Sequence, residues 1–292
     1  MKPSIFTMDL DDLNKELNSI QTLLNNAPKE EFDGRSPSDM FYLLHKPFDK
    51  DSPLQFRKQV DQDLLGRIPF LKLTIYYLRY IQEQGAVKLT QKGNMPVRLV
   101  KLLYEQKFVK HEYVERGLVK LSKEQDSYAI HTTRIIAELA GLTKKRNNKV
   151  SLTKKAEKLL DKNDRCQLFR ELFIAYTMKF NWAYQDNYGD NPIGQLGFAF
   201  TLEQLIKHGA TEKQDIFYGE LYLKAFPGLL EFTGRIKFWT PEEELINCFA
   251  SRTFTLFLDL FGLVKIREEG KFPDRKTYIR KAGLLDEVFL FD

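Results

Sequence analysis

Cysteine is scarce in this chain. Cys166 and Cys248 stand far apart and no CxxC pair occurs. That spacing excludes a structural zinc site of the usual kind, and the apolar neighbours of both thiols make them read as small packed hydrophobes. Histidine is equally thin. His45, His111, His131 and His208 are scattered, with no HxH, HExxH or His-x₃-His pair, so no metal site is expected. No Gly-x-Ser-x-Gly elbow marks a nucleophile, and Gly189, Gly194 and Gly197 have neither dinucleotide nor P-loop spacing. Pro273-Asp274 is not followed by a Glu-x-Lys strand, which leaves a restriction-type nuclease core without support. The expectation is a protein without catalytic residues and without a cofactor.

Long hydrophobic runs are also missing. No stretch of about 18 apolar residues occurs, and the Met1-Lys2-Pro3-Ser4-Ile5 start has no long apolar segment. Neither a membrane span nor an export signal is expected, and the cytoplasm is the default. Charge is not one-sided: 45 Lys and Arg face 40 Asp and Glu, a net of +5. A protein that coats nucleic acid with its whole surface is more lopsided. The distribution of charge must carry any argument about an anionic partner.

What is present is an ordinary globular composition, 43% hydrophobic and 29% charged. The 23 Phe within 13% aromatics favour large packed cores. As a prior, ~150 residues per domain suggests about two domains in 292 residues. Helical periodicity dominates. Leu10, Leu13, Leu17, Ile20 and Leu24 recur at steps of three and four behind Asp9. Ser36-Pro37-Ser38-Asp39 opens a helix that Pro47 ends, and Asp51-Ser52-Pro53 reads as the opening of another. A longer helix is predicted from Ile68 to Gln84, with Leu71, Ile75, Leu78 and Ile81 on one face.

A grammar then recurs: a helix ends at Gly plus an apolar residue, a short basic strand follows, and Leu-Thr-x-Lys or its equivalent opens the next helix. It appears at Gly85–Gly93, at Gly141–Ala156 and at Gly262–Gly283. Gly supplies the left-handed residue that stops a helix, and Thr153 reads as a helix cap. In the second copy the Asn147-Asn148 turn predicts a β-hairpin over residues 142–152. The third copy has a turn near Glu269-Gly270. Upstream of it, Thr240-Pro241-Glu242-Glu243 is a capping box opening a helix to Cys248. Ser251 is expected to start a second helix after a tight turn. The first copy lacks room for a hairpin.

Copies two and three resemble winged-helix regulators, whose wing often reads GL…LT-x-K-G…LL. Copy two departs in having Lys155-Ala156 where Lys-Gly is common, and copy three has Ile279-Arg280 where Leu-Thr is common. The whole chain also resembles an uncharacterised bacterial protein family without an established activity. The marks are Leu43-Leu44-His45-Lys46-Pro47-Phe48 with Ser52-Pro53, the Lys88–Pro96 stretch, and Lys179–Tyr184. The resemblance implies a mainly α fold with two winged-helix-like units bearing short β-hairpin wings, and a bacterial origin. The expected divisions are an N-terminal helical region over 1–85, a winged-helix-like unit over 86–162, a helical aromatic-rich block over 166–238, and a C-terminal unit over 239–292.

The densest basic cluster is Lys144, Lys145, Arg146, Lys149, Lys154, Lys155 and Lys158, with Glu157 as its one acid. A wing tip so charged suits a phosphate backbone. On the preceding helix Ser127, His131, Arg134 and Glu138 share a stripe, and His131 and Arg134 are expected to face a groove as a reading helix would. The second cluster, Lys265, Arg267, Lys271, Arg275, Lys276, Arg280 and Lys281, is diluted by Glu268, Glu269 and Asp274. It reads as structural or protein-binding. Trp182, Tyr184 and Tyr188 are expected in the core, and Asp186 and Asp190 as solvated loop carboxylates or a cation site. DNA or RNA through the first wing is the leading expectation for a partner. A protein-interaction or scaffold role is the alternative, and a small-molecule sensor built on the aromatic block is a third.

Overall fold

A computed structural model describes residues 9–234, 236–270 and 275–292. Met1–Ile5, Lys271, Pro273 and Asp274 lie outside the described residues. The fold is mainly α-helical, with three small antiparallel sheets among the described residues. Among the described residues no helix is long and apolar enough to cross a membrane.

Helix α1 (Leu10–Asn26) starts where the Asp9 carboxylate accepts the Asp12 N–H. Helix α2 (Pro37–His45) starts at a reciprocal capping box between Ser36 and Asp39, with Pro37 in the first position. The helix expected after Pro53 is instead strand β1 (Leu54–Phe56). It pairs antiparallel with β8 (Phe289–Phe291), Leu54 opposite Phe291 and Phe56 opposite Phe289. Pairing brings Phe56 and Phe289 together at 5.1 Å between ring centres. Burial against a remote strand overrides the local helix signal.

After the short α3 (Gln62–Leu65) the chain makes one arrangement twice. First come α4 (Pro69–Gln84), β2 (Val87–Lys88), α5 (Val97–Glu105), the one-turn α6 (Glu112–Glu115), α7 (Tyr128–Leu139), the hairpin β3 (Thr143–Arg146) and β4 (Lys149–Leu152), and α8 (Lys154–Asp161). After α9 (Arg165–Met178) come α10 (Phe198–His208), β5 (Lys213–Gln214), α11 (Asp215–Ala225), α12 (Pro241–Ala250), the hairpin β6 (Val264–Glu269) and β7 (Lys276–Lys281), and α13 (Gly283–Val288). In both units the single early strand pairs with the second hairpin strand: the sheets run β2-β4-β3 and β5-β7-β6. The Gly85 grammar is therefore the first strand of the unit that the Gly141 hairpin completes, which is why it has no hairpin of its own. Through β2, α4 joins the same unit, seven buried side chains lining its inner face.

The tight turn expected at Ser251 does not form. Ser251 keeps helical dihedrals (φ −60°, ψ −53°), and α12 runs on into a π-helical segment, Ser251–Leu258. There the Asp259 N–H reaches back to the Phe254 carbonyl, while the Phe261 N–H returns to the four-residue step on Phe257. The change of step leaves the Leu256 carbonyl outside the ladder. The Tyr176 hydroxyl donates to it at 2.8 Å, and so does Tyr128 from α7. The helix before the first hairpin is thus bonded to the helix before the second.

Two cores hold this together. Phe173 of α9 is fully buried and meets rings from every quarter: Phe289 at 4.9 Å, Phe261 at 5.3 Å, Phe257 at 5.4 Å, Phe56 at 5.9 Å and Phe198 at 6.3 Å. Trp182 is buried as expected, its indole N–H donating to the Tyr176 carbonyl, whereas Tyr184 is exposed. The second core is polar. Arg252, inside the π segment, is completely buried. Its guanidinium forks onto Asp186 (2.5 and 2.9 Å) and donates to the carbonyls of Gly189, Asn191 and Ile193. The cation held by Asp186 is therefore an arginine of the chain itself, and Asp190 instead accepts from Asn181. This bond set fixes the glycine-rich loop. A Cβ on Gly194 would come within 3.0 Å of Thr253 and 3.2 Å of Arg252, and its φ of +83° suits glycine. Cys248 is buried, its thiol pushed up to about 12 by that burial, in keeping with a packing role.

Arg252→Ala should therefore cost about 3–5 kcal/mol, because it strands a largely buried carboxylate and three carbonyls. Arg252→Lys should recover part of this, since lysine restores the charge without the fork. Urea unfolding midpoints of the three proteins measure it, and equal midpoints would refute the assignment.

Candidate nucleic-acid interface

The first hairpin is built by local chemistry. Gly141 (φ +67°) stops α7, its N–H on the Glu138 carbonyl and the Leu142 N–H on Ala137. Asn147 and Asn148 both take left-handed dihedrals (φ +50° and +56°), the pair a two-residue hairpin turn demands. The residue 142–152 hairpin expectation is met. The turn is not loose: Asn148 donates its side-chain amide to the carbonyls of Leu89 and Thr90, and its own carbonyl accepts the Leu89 N–H. Thr153 accepts the Ala156 N–H at the start of α8 and donates to the Gly141 carbonyl.

Register decides where the charges point. Lys88 lies opposite Lys149, and Lys149 opposite Arg146, so three cations form one row across three strands. Lys144, two residues before Arg146, shares that face. The other face carries the buried Val87 and Val150. Lys88, Lys144, Arg146 and Lys149 are exposed, and none makes an ion pair among the described residues. Like charges directly opposite destabilise a sheet, so this row is a cost that nothing in the described residues offsets. Lys88 escaped the sequence reading because β2 lies far from the hairpin in sequence. The basic strand of the first grammar copy was the available signal.

The remaining predicted residues divide. Lys154 and Lys158 are exposed on α8. Lys145 sits at the sheet edge on the inner side, its ammonium over Gly93. Lys155 is engaged: it donates to the Ala140 carbonyl at the end of α7 and pairs with Glu171, both at 2.7 Å. With Lys179, which donates to the Leu139 carbonyl, it neutralises the negative end of α7.

His131 and Arg134 do not face solvent. His131 is buried, and the Arg134 side chain is 14% exposed. Both turn onto Glu124, itself fully buried: His131 Nδ1 lies 3.0 Å and Arg134 Nε 2.8 Å from Oε1, and the Met95 N–H donates to Oε2 at 2.7 Å. Ser127, first in the expected stripe, is buried too. Only Glu138 of α7 is well exposed, because α4, α5 and α9 surround the helix. The expected groove-facing stripe is therefore corrected: it is an internal network that ties α7 to the loop beneath the hairpin. Burial raises the Glu124 pKa, but the bonds from His131, Arg134 and Met95 outweigh it and hold the carboxyl below its ordinary value.

The second hairpin has the same topology and a different charge plan. Arg267 pairs with Glu212 and Glu269 and lies over the Tyr278 ring at 4.2 Å. Arg275 pairs with Glu268, and Lys281 with Asp286. Lys276 is directly opposite Glu269, while Lys265 is directly opposite Arg280. Between the units lies a cavity of about 370 Å³, lined by residues including Pro69, His111, Tyr128, Thr255 and Asp259. Among the described residues no group of His, Cys, Asp and Glu is placed to hold a metal.

One family profile matches, that of the Y4jL N-terminal domain, over residues 67–165. The match starts just before α4 and ends just after α8, so it spans the first unit with β2 and α4 included. No curated protein and no solved structure matches the chain.

Glu124→Ala should cost about 3 kcal/mol, since a buried arginine and an N–H lose their acceptor together. Because the folded Glu124 is held below 4.5, its stabilisation is complete above that value and is lost as pH falls through the folded one. Glu124→Gln should remove this acid limb. Urea midpoints followed from neutral pH down past 4.5 test it, and superimposable profiles would refute it.

Proposed function

We propose that the protein is a non-enzymatic nucleic-acid-binding protein built on two winged-helix-like units, and that its first wing lies on the phosphate backbone of DNA or RNA. The repeated order of helix, strand, helices and hairpin supports the winged-helix reading. The first unit then covers the segment matched by the family profile, and the second begins at α10 rather than at residue 239. The observation that carries the function is the row of Lys88, Lys149 and Arg146, without an acidic partner among the described residues, with Lys144 beside it. Phosphates offset the mutual repulsion of such a row and release their own counterions in doing so.

The reading is of shape and charge, not of sequence. Lysines on a hairpin act as point charges, while base reading requires fixed donors presented on an element that can enter a groove. Helix α7 is enclosed, and the helix before the second hairpin is bonded to it through Leu256. Lys154 and Lys158 extend the contact along α8. A protein-interaction or scaffold role is the second reading, favoured by Phe238 (94% exposed) and Trp239 on the loop before α12.

The test is fluorescence anisotropy of labelled random duplex DNA and single-stranded RNA over a salt series. The Lys88→Gln/Arg146→Gln/Lys149→Gln protein should bind all sequences more weakly by a similar factor. Its plot of log affinity against log salt should flatten by about 0.9 per lost phosphate contact on the duplex and about 0.7 on the single strand. Lys276→Gln, on the second wing opposite Glu269, should change neither. Affinity and slope unaltered by the triple substitution would overturn the nucleic-acid reading in favour of the scaffold.

A further inference from the structure

Helix α1 has seventeen residues and buries none of them. Leu10, Leu17, Ile20, Leu23 and Leu24 are 77, 54, 47, 70 and 57% exposed, and Leu13 alone is half-covered. A helix of this length is marginal on its own in water. An apolar stripe left open along it is a costly exposed surface that marks an interaction site.

The spacing of the stripe identifies what fits it. Leu10, Leu13, Leu17, Ile20 and Leu24 follow a strict alternation of three and four. That is the two-position seam of a coiled coil, narrower than the stripe of a helix lying on a globular core. The seam asks for a second helix carrying the same repeat. Its flanking positions are Asn14, Glu16, Gln21 and Leu23, so two copies bring no ring of like charges together. The acids Asp9, Asp11 and Asp12 cluster at one end, and the other end closes with Asn25 and Asn26. An antiparallel pair sets each acidic end beside the uncharged end of the other helix and opposes the two dipoles. Leu13 of one copy then meets Leu24 of the other, and Leu17 meets Ile20, twice over by two-fold symmetry.

The area suffices. The exposed stripe amounts to roughly 500 Å² per copy, so a pair buries about 1,000 Å², the lower bound for a specific interface. The polar face argues against a lipid surface: Lys15 is its one basic residue, against Asp11, Asp12 and Glu16, where interfacial helices are rich in lysine and arginine. We infer that α1 is a self-association element, through which two copies of this chain form an antiparallel helical pair.

Sedimentation velocity on the full chain, from about 1 to 100 μM, tests this against typical affinities for interfaces of this size. The wild-type protein should pass from monomer to dimer within that range. Leu17→Glu/Ile20→Glu should stay monomeric throughout, with an unchanged urea midpoint at the monomeric end of the range, because α1 contributes no buried side chain to the core. Asn18→Ala, outside the seam, should dimerise like the wild type. A wild-type chain still monomeric at the top of the range overturns the proposal, as does a dimer that survives the double substitution. Co-flotation of monomeric protein with anionic vesicles, abolished by the double substitution, would also overturn it in favour of a membrane role. None of these readouts depends on nucleic acid, so this inference and the proposed function fail separately.

Discussion

The packing around Phe173 is the constraint on which the rest of the molecule depends. One ring on α9 touches aromatic side chains from α10, the π segment, β1 and β8. Interiors packed at crystal density have discrete arrangements rather than a continuum. The elements that reach Phe173 are therefore fixed relative to one another once its rotamer is set. Helix α9, which carries this ring, also packs on α7 and α8, so the first unit and the aromatic centre share one helix.

Within that frame the chain treats charge in two ways. Inside, two buried charges are closely matched: Arg252 by Asp186 and three carbonyls, and Glu124 by His131, Arg134 and the Met95 N–H. The second hairpin is matched in part: Arg267 and Arg275 meet glutamates, while Lys265 stands opposite Arg280. The first hairpin departs from this plan. Two sheets with the same strand order thus differ in how far acids offset their cations. The difference lies in what each exposes, since both bury an apolar inner face, Val87 with Val150 in one and Val264 with Ile279 in the other.

Much of this was legible in the sequence where the signal is local. Asp9, Ser36, Thr153 and Thr240 cap the helices they were expected to cap, and Asn147-Asn148 makes the expected turn. What was not legible depends on distant partners. Strand β1 exists because residues 289–291 come to lie beside it, and β5 because β7 does; two- and three-residue strands carry no periodicity of their own. The misplacement of His131 and Arg134 has the same origin. A polar stripe on a helix says that something polar lies opposite, and Glu124 satisfies that as fully as a nucleic-acid groove would. Arg252 shows the converse: a lone arginine between Ser251 and Thr253 gives no sign that it will be enclosed.

The pairing of β1 with β8 has a consequence for how the chain is made. The first unit is complete in contiguous sequence, so it can close while later residues are still being synthesised. The aromatic centre cannot. Phe56 is among the early residues to emerge, yet its strand partner is Phe289, and Phe48, Phe56 and Phe173 wait together for the same arrival. A long interval of vectorial folding therefore passes with a half-built aromatic cluster open to water and β1 unpaired. That is the stretch of the protein's life in which a chaperone has the most to hold.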